Sequence, residues 1–377
     1  MPRTQVLISA GEASGDMYAA RLAAALRARA DVHLFGMGGT RMREAGVELV
    51  ADCSEVSLVG IVEIATKYPA LKRVWKRLLN EAARRKPQLA ILTDFPGFHL
   101  RLARALNRQG VQNVYFVCPQ FWAWRPWRAN LVRRRFVRGL CIFPFEEEWY
   151  RARGVKADFI GHPLVGNVAA KRTRAEFAAA SGLDASQPIV ALLPGSRSGE
   201  IAHHMPTLLQ ACRLIQKQRK VQFVLALAQG VKKAQISQYL KPDLALHVVE
   251  DATYDALGAA DLSIVSSGTA TVEAALMDAP MIVIYRLAPL TASIARWLVR
   301  TPRFAMVNLI AGKQVVPELV QKSFTPARLA SEAIGLLDSP AACAEMRRGL
   351  AEVREKLGPP GAVERAADLI AGMLNPR

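Results

Sequence analysis

The chain runs to 377 residues, more than one hydrophobic core usually serves, and predicts two domains; 51% of its residues are hydrophobic, which excludes disorder outside the termini. A net charge of +18, from 50 Lys and Arg against 32 Asp and Glu, either directs the protein to nucleic acid, anionic headgroups or phosphorylated substrates, or reflects compositional bias alone. Cys53, Cys118, Cys141, Cys212 and Cys343 lack C-x-x-C spacing, which argues against zinc knuckles and disulfide frameworks, and no apolar run reaches the roughly eighteen residues of a membrane span.

In chain order, an apolar run at Gln5–Ser9 predicts a first strand. The apolar stretch after Arg3 is too short for a secretory leader, so a cytoplasmic protein, soluble or peripheral, is expected. The loop Ser9-Ala10-Gly11-Glu12-Ala13-Ser14-Gly15-Asp16 leads into an amphipathic helix at about Met17–Arg29. Strand, glycine turn and helix either cradle a ligand or merely reverse the chain. The two glycines lie four apart, so the dinucleotide fingerprint G-x-G-x-x-G is not met. Strands predicted at Val32–Gly36, Gln88–Thr93, Asn113–Cys118 and Gly139–Phe143 are separated by helices such as Pro69–Lys86 and Phe98–Gln109. After Gly161-His162-Pro163 the pattern restarts, with strands at Ile189–Leu193, Val221–Ala226, Leu244–Val249, Leu262–Ser266 and Met281–Tyr285, and the end of the chain reads as helix. The expected fold is α/β, with two Rossmann-like, doubly wound parallel sheets facing across a cleft. Their expected bounds are 1–165 and 166–340, followed by C-terminal helices at 341–377.

Candidate chemistry falls at the carboxyl ends of predicted strands, where open α/β sheets hold ligands. Asp94, directly after a strand, is either a general base for an attacking hydroxyl or the N-cap of the next helix. Glu12 and Asp16 place carboxylates on the first loop, where they repel phosphate and suit sugar hydroxyls. Leu193-Pro194-Gly195-Ser196-Arg197 sets a cation beside a helix start; Arg197 either meets a diphosphate leaving group or is a surface arginine after a turn. Ser266-Ser267-Gly268-Thr269-Ala270 repeats that strand–turn–helix plan. Thr269 and Glu273 share one helix face, as phosphate and ribose ligands or as parts of a capping box. Trp122–Arg128, with Arg133, Arg134, Arg135 and Arg138 beyond it, interleaves aromatics and cations as a binder of single-stranded nucleic acid would. Finally, Leu58, Val59, Ile61, Val62, Ile64, Leu71, Val74, Trp75, Leu78 and Leu79 are flanked by Lys67, Lys72, Arg73, Lys76, Arg77, Arg84 and Arg85. That pattern reads either as an interfacial membrane helix or as a core helix with a solvated face.

The order and spacing of GEASGD, WAWR (Trp122–Arg125), FPFE (Phe143–Glu146), GHP (Gly161–Pro163), LPGSR, SGTA (Ser267–Ala270) with Glu273, Tyr285-Arg286 and NLIAG (Asn308–Gly312) resemble the lipid-A-disaccharide synthase family. The resemblance covers about residues 5–320. It implies a GT-B, inverting glycosyltransferase of lipopolysaccharide biosynthesis, peripheral to the inner membrane on its cytoplasmic side. The implied reaction joins UDP-2,3-diacylglucosamine to 2,3-diacylglucosamine 1-phosphate through a β-1,6 linkage and releases UDP. The implied base is Asp94. Substrate-binding positions carry over to Gly11, Glu12, Ser14, Gly15, Asp16 and Trp124, and on the nucleotide side to Ser196, Arg197, Ser267, Gly268, Thr269, Glu273 and Asn308. No D-x-D motif occurs, so neither a metal nor a cofactor is expected, and Arg197 with helix N-termini would neutralise the diphosphate. Expected partners are the two lipid sugars and an anionic membrane surface, with a homodimer compatible and nucleic acid disfavoured by the lack of RRM, KH or OB signatures. A GT-B epimerase, or a transferase for soluble sugars, is the rival enzyme. Members often carry Asp and Asn where Gly97 and His99 stand here, which changes the surroundings of the base; His99 either assists it or is structural.

Overall fold

The computed structural model describes residues 3–56, 63–228, 230–241, 243–287 and 303–374, without the side chains of 13 and 63–67. Packing divides the chain into two compact units, residues 1–165 together with 357–377, and residues 166–356.

Apolar runs make the strands of the first unit: β1 (Thr4–Ala10), β2 (Val32–Gly38), β3 (Glu48–Asp52), β4 (Leu89–Thr93), β5 (Gln112–Phe116), β6 (Arg138–Cys141) and β7 (Ala157–Phe159). They form one parallel sheet in the order β3-β2-β1-β4-β5-β6-β7. Parallel neighbours need crossovers, supplied by helices that include α1 (Ala13–Arg27), α2 (Thr40–Glu44), α3 (Glu63–Arg85), α4 (Pro96–Arg108), α5 (Ala129–Arg135) and α6 (Pro144–Arg151). Every residue of β4 is buried, as expected for a strand covered on both faces.

The second unit repeats the plan with β8 (Ile189–Leu193), β9 (Gln222–Leu227), β10 (Leu246–Glu250), β11 (Leu262–Ser266), β12 (Met281–Tyr285) and β13 (Glu318–Val320), ordered β10-β9-β8-β11-β12-β13. Its helices include α7 (Arg174–Ser181), α8 (Ser198–Gln218), α9 (Lys233–Ile236), α10 (Thr253–Ala259) and α11 (Thr269–Leu276). In both sheets the strand order reverses about a central pair: β1 with β4, where Ala10 lies beside Thr93, and β8 with β11, where Leu193 lies beside Val265. Such switch points open a crevice at the carboxyl ends of the strands. The candidate loops leave from those ends.

Strands β3, β7 and β13 were not expected from the sequence. All three are edge strands; β3 carries Glu48 and Asp52, and β7 and β13 have three residues each. The expected C-terminal segment 341–377 is divided. Helix Pro340–Lys356 goes with the second unit, and helix Ala362–Leu374, beyond Gly358 and Gly361 at φ +84° and +91°, with the first. There it packs on α1, Arg365 Nε donates to the Ile160 carbonyl at 2.9 Å, and Gln88 Nε2 donates to the Leu374 carbonyl at 2.9 Å.

The described part of α3 is a core helix. Val74, Leu78 and Ala82 are buried in the core of the first unit, Leu71, Trp75 and Leu79 pack against it, and Lys72, Arg73 and Lys76 face solvent. Burying a Val or Leu side chain on the sheet is worth about 1.5–3 kcal/mol, so the stripe is not available to a membrane. Leu58, Val59, Ile61 and Val62, and the side chains of Ile64 and Lys67, lie outside what is described.

Candidate active site

Asp94 is the first residue beyond β4. Its backbone is left-handed at φ +53°, and so is that of Phe95 at +43°. Two successive non-glycine residues in this region are strained, and the surroundings hold them there. The Asp94 carbonyl accepts from the Tyr115 hydroxyl at 2.8 Å and from His99 Nδ1 at 2.8 Å. Since a carbonyl only accepts, Nδ1 carries the proton and Nε2 accepts from the Ser9 hydroxyl at 2.9 Å. Burial holds His99 neutral, its pKa lowered to about 4. Thus His99 is structural, fixing the turn rather than assisting chemistry.

The Asp94 side chain turns back onto the first loop instead of capping α4. Oδ1 accepts from the Gly11 N–H at 3.1 Å. Oδ2 is buried and has no hydrogen-bond partner among the described residues. Burial, then the negative charge of Glu12, pushes the carboxyl well above its ordinary range. Gly15 makes this fit possible: a Cβ there would stand 1.7 Å from Oδ2, and one on Gly11 would stand 2.5 Å from the Phe95 ring. Glu12 and Ser14 are exposed at the loop. Asp16, expected to offer oxygens to a substrate, faces inward. Its carboxylate accepts from Gly39 N at 2.6 Å, Arg41 N at 3.1 Å and Met42 N at 3.2 Å, capping the start of α2.

Next to β4, β5 ends and the chain enters the segment that carries Trp122, Trp124, Arg125, Trp127 and Arg128. Trp122 Nε1 donates to Glu146 Oε1 at 3.0 Å, and Glu146 Oε2 accepts from Ile142 N at 3.3 Å and Phe143 N at 3.2 Å. Burial pushes Glu146 up to about 7. Trp124 is half-buried under two guanidiniums, with Arg125 Cζ 4.8 Å and Arg128 Cζ 5.8 Å from its ring centre.

In the second unit the turn after β8 is organised by Glu200. Its Oε2 accepts from Ser196 N at 3.1 Å and Arg197 N at 3.4 Å, and its Oε1 pairs with Arg197 Nη1 at 3.2 Å. Ser196 and Arg197 remain exposed. Gly268 has φ +146°, with open space where its Cβ would be, and Thr269 is exposed at the start of α11. No side chain caps that helix, so the capping-box alternative is not formed, and the Thr271 N–H closes back on the Gly268 carbonyl at 3.1 Å. Glu273, one turn on, is pushed up by burial and accepts from the Tyr254 hydroxyl at 3.0 Å.

Asn308, expected on the nucleotide side, is bonded within the protein itself. It is fully buried; Nδ2 donates to the Val316 carbonyl at 2.9 Å and to Glu318 Oε1 at 2.7 Å, while Oδ1 accepts from Val315 N at 2.7 Å and Val316 N at 3.0 Å. Glu318 also accepts from Phe304 N at 2.9 Å, and the Phe304 carbonyl accepts from the Ser267 hydroxyl at 2.9 Å. Asn308 therefore supports the Ser267 turn from behind.

The family model for lipid-A-disaccharide synthetase matches residues 6–367. The chain belongs to this family. The lipid-A-disaccharide synthase of Solibacter usitatus is 44% identical over 99% of this chain and 98% of its own, and that of Myxococcus xanthus 42% over the same shares. The protein is thus a glycosyltransferase of lipid A biosynthesis. Among solved structures it is similar to the UDP-GlcNAc 2-epimerase of Neisseria meningitidis bound to UDP-GlcNAc, at TM-score 0.68, 11% identity and coverage of 97% and 99%. It is also similar to the calicheamicin glycosyltransferase CalG4, at TM-score 0.61, 15% identity and 99% of each chain. At such identities these likenesses establish the GT-B fold alone.

Tyr115, Glu146, Tyr254 and Glu318 were not singled out from the sequence. Each acts through a partner distant in the chain, and no spacing rule marks such a pairing. Only Glu146 sat inside a recognised motif.

Proposed function

We propose that the chain transfers the diacylglucosaminyl group of UDP-2,3-diacylglucosamine to the 6-hydroxyl of 2,3-diacylglucosamine 1-phosphate, with inversion, giving the β-1,6-linked disaccharide 1-phosphate and UDP. The observation that carries this is Asp94: a carboxylate on a strained turn at a sheet switch point, with one buried oxygen left unpartnered. As the acceptor oxygen attacks C1 of the donor, its proton passes to Asp94 Oδ2, and the bond from C1 to the diphosphate breaks. A raised pKa suits the task, because a base works best near the pH at which it operates. Glu12 and Ser14, both exposed, would bind acceptor hydroxyls, and Gly11 and Gly15 would keep the loop narrow.

On the nucleotide side, Arg197 and the backbone N–H groups of Gly268 and Thr269 would meet the diphosphate, whose charge grows as it leaves. Glu273 would accept from the ribose hydroxyls, with Tyr254 orienting it. Exposed Lys72, Arg73 and Lys76 on α3 would hold an anionic membrane surface near the acceptor loop's unit, each nearby cation adding on the order of 1 kcal/mol. This is peripheral, inner-leaflet association, and it agrees with the absence, among the described residues, of a helix long and apolar enough to cross a bilayer. A homodimer is compatible with this arrangement.

Mass spectrometry of products from the two diacylated sugars tests the reading, with UDP-N-acetylglucosamine as the control donor. A tetraacyl disaccharide phosphate is expected. Transfer from the soluble donor alone, or no disaccharide, would overturn it.

A further inference from the structure

Three cations of the first unit interact with one another and have no established task. Arg128 follows the loop that leaves β5, the strand next to β4, and its charge interacts with Tyr115, whose hydroxyl holds the Asp94 carbonyl. Arg125 and Arg128 both lie over Trp124, and Arg128 Cζ is also 5.4 Å from the ring centre of Trp127, which is 59% exposed. Arg101, on α4, projects its charge into the same place: after burial, Arg125 and then Arg101 are what lower the Arg128 pKa. Among the described residues none of the three pairs with a carboxylate, and Arg128 Nε is buried without a hydrogen-bond partner. Arg125 is moreover held at φ +56°, a left-handed conformation uncommon for such a residue. Like charges brought together, one donor desolvated and unmet, are a site awaiting an anion rather than a resting surface.

We propose that Arg101, Arg125 and Arg128, backed by Trp124, form the subsite for the phosphate monoester of the acceptor. This rests on the acceptor proposed above. The acceptor needs its hydroxyl at Asp94 and its 1-phosphate on the other side of one sugar ring; Arg125 and Arg128 lie on the segment that leaves β5, the strand next to the one that ends at Asp94, and Arg101 lies on the helix that follows Asp94. Guanidiniums meet phosphate in bidentate fashion, and Trp124 offers a face to the apolar side of the sugar. An anionic lipid headgroup presents the same phosphate chemistry, so the test separates the two sources.

The test compares the full-length wild type with R125Q/R128Q and R125K/R128K, using diacylglucosamine with and without the 1-phosphate as acceptor. In parallel, glucosamine 1-phosphate is titrated against tryptophan fluorescence, and pelleting with phosphatidylglycerol vesicles is measured. Wild type should prefer the phosphorylated acceptor. R125Q/R128Q should lower kcat/KM for it by on the order of a hundredfold, with a far smaller effect on the phosphate-free sugar and on KM for the donor, so that the preference collapses. The lysine pair should restore part of it, and the glucosamine 1-phosphate response should vanish in the glutamine pair. Equal loss with both acceptors, an unchanged preference, or lost vesicle binding with the preference intact would each overturn the proposal. If the wild type joins no diacylated sugars, the acceptor reading fails separately, and the glucosamine 1-phosphate titration alone decides the arginine subsite.

Discussion

At the residue scale the proposed chemistry turns on one oxygen. Asp94 Oδ2 sits against Gly15 with no internal donor, while Oδ1 is held by Gly11. Asp94→Asn should lower turnover at least about a hundredfold while leaving UDP affinity unchanged, because an amide cannot take the proton. The same substitution should stabilise the protein at neutral pH. A carboxyl raised by burial binds its proton more tightly folded than unfolded, so its contribution is fully present below the unfolded pKa and is lost as pH rises through the folded one. The gain in Tm of the variant should therefore shrink as pH falls toward 4, and the acid limb of the wild-type rate profile should lie above the ordinary carboxylate range. An acid limb at that range would count against burial of the base. Gly15→Ala should cost as much turnover as losing Asp94, since its methyl would take the place of Oδ2. For Arg197→Ala, weaker UDP binding and slower turnover are expected together, with chelators without effect; activity lost to chelator and restored by a divalent ion would contradict that scheme.

At the scale of elements, the pieces behind the loops matter as much as the loops. Asn308 ties helix Met306–Ala311 to the 315–316 backbone and to Glu318, which in turn fixes the 304–305 backbone behind Ser267. Asn308→Ala removes four hydrogen bonds, two of them buried, and should destabilise the second unit by about 2–4 kcal/mol. Thermal melts paired with UDP titrations check this: a positioning role predicts lost stability, whereas a direct contact predicts lost affinity at unchanged Tm. Helix α3 divides its work between faces. Its apolar face is spent on the core, so the proposed membrane attachment, where it involves the described part, would depend on charge. Replacing Lys72, Arg73, Lys76 and Arg77 with glutamine should weaken pelleting with anionic vesicles, and salt should do the same to the wild type. Of these four, Arg77 already pairs with Glu55 at 2.6 Å and should contribute least.

For the molecule as a whole, the first unit is completed by the end of the chain. Arg29 meets Asp368 at 2.5 Å, the His162 N–H donates to the Leu357 carbonyl at 2.9 Å, and Ala366, Ala367 and Ile370 are buried. Ending the chain after Lys356 should therefore destabilise the first unit and leave UDP binding by the second. A melt that loses its first-unit transition while the UDP titration stays normal is the expected result. Intact melting of both units would show that the last helix is dispensable.

Much of this was legible in one dimension, for a local reason. Central parallel strands are short apolar runs, turns at their ends carry glycine and small polar residues, and both signals lie within a few neighbouring residues; hence the doubly wound plan, Asp94, and the loops at Gly11–Asp16, Gly195–Arg197 and Ser267–Thr269 could be placed from sequence alone. Which of the candidate side chains face outward from these loops and which are bonded into the interior was decided only by tertiary structure. Asp16 and Asn308 have the same hydrogen-bonding capacity whether they face a substrate or the interior, and it is the packing of α2 and of the 315–316 backbone that turned them inward. The apolar stripe of α3 likewise has one period whether it covers a sheet or a bilayer. The orphaned Arg128 nitrogen and the Tyr115 hydroxyl on the Asp94 carbonyl arise between residues far apart in sequence, where no periodicity or spacing can record them.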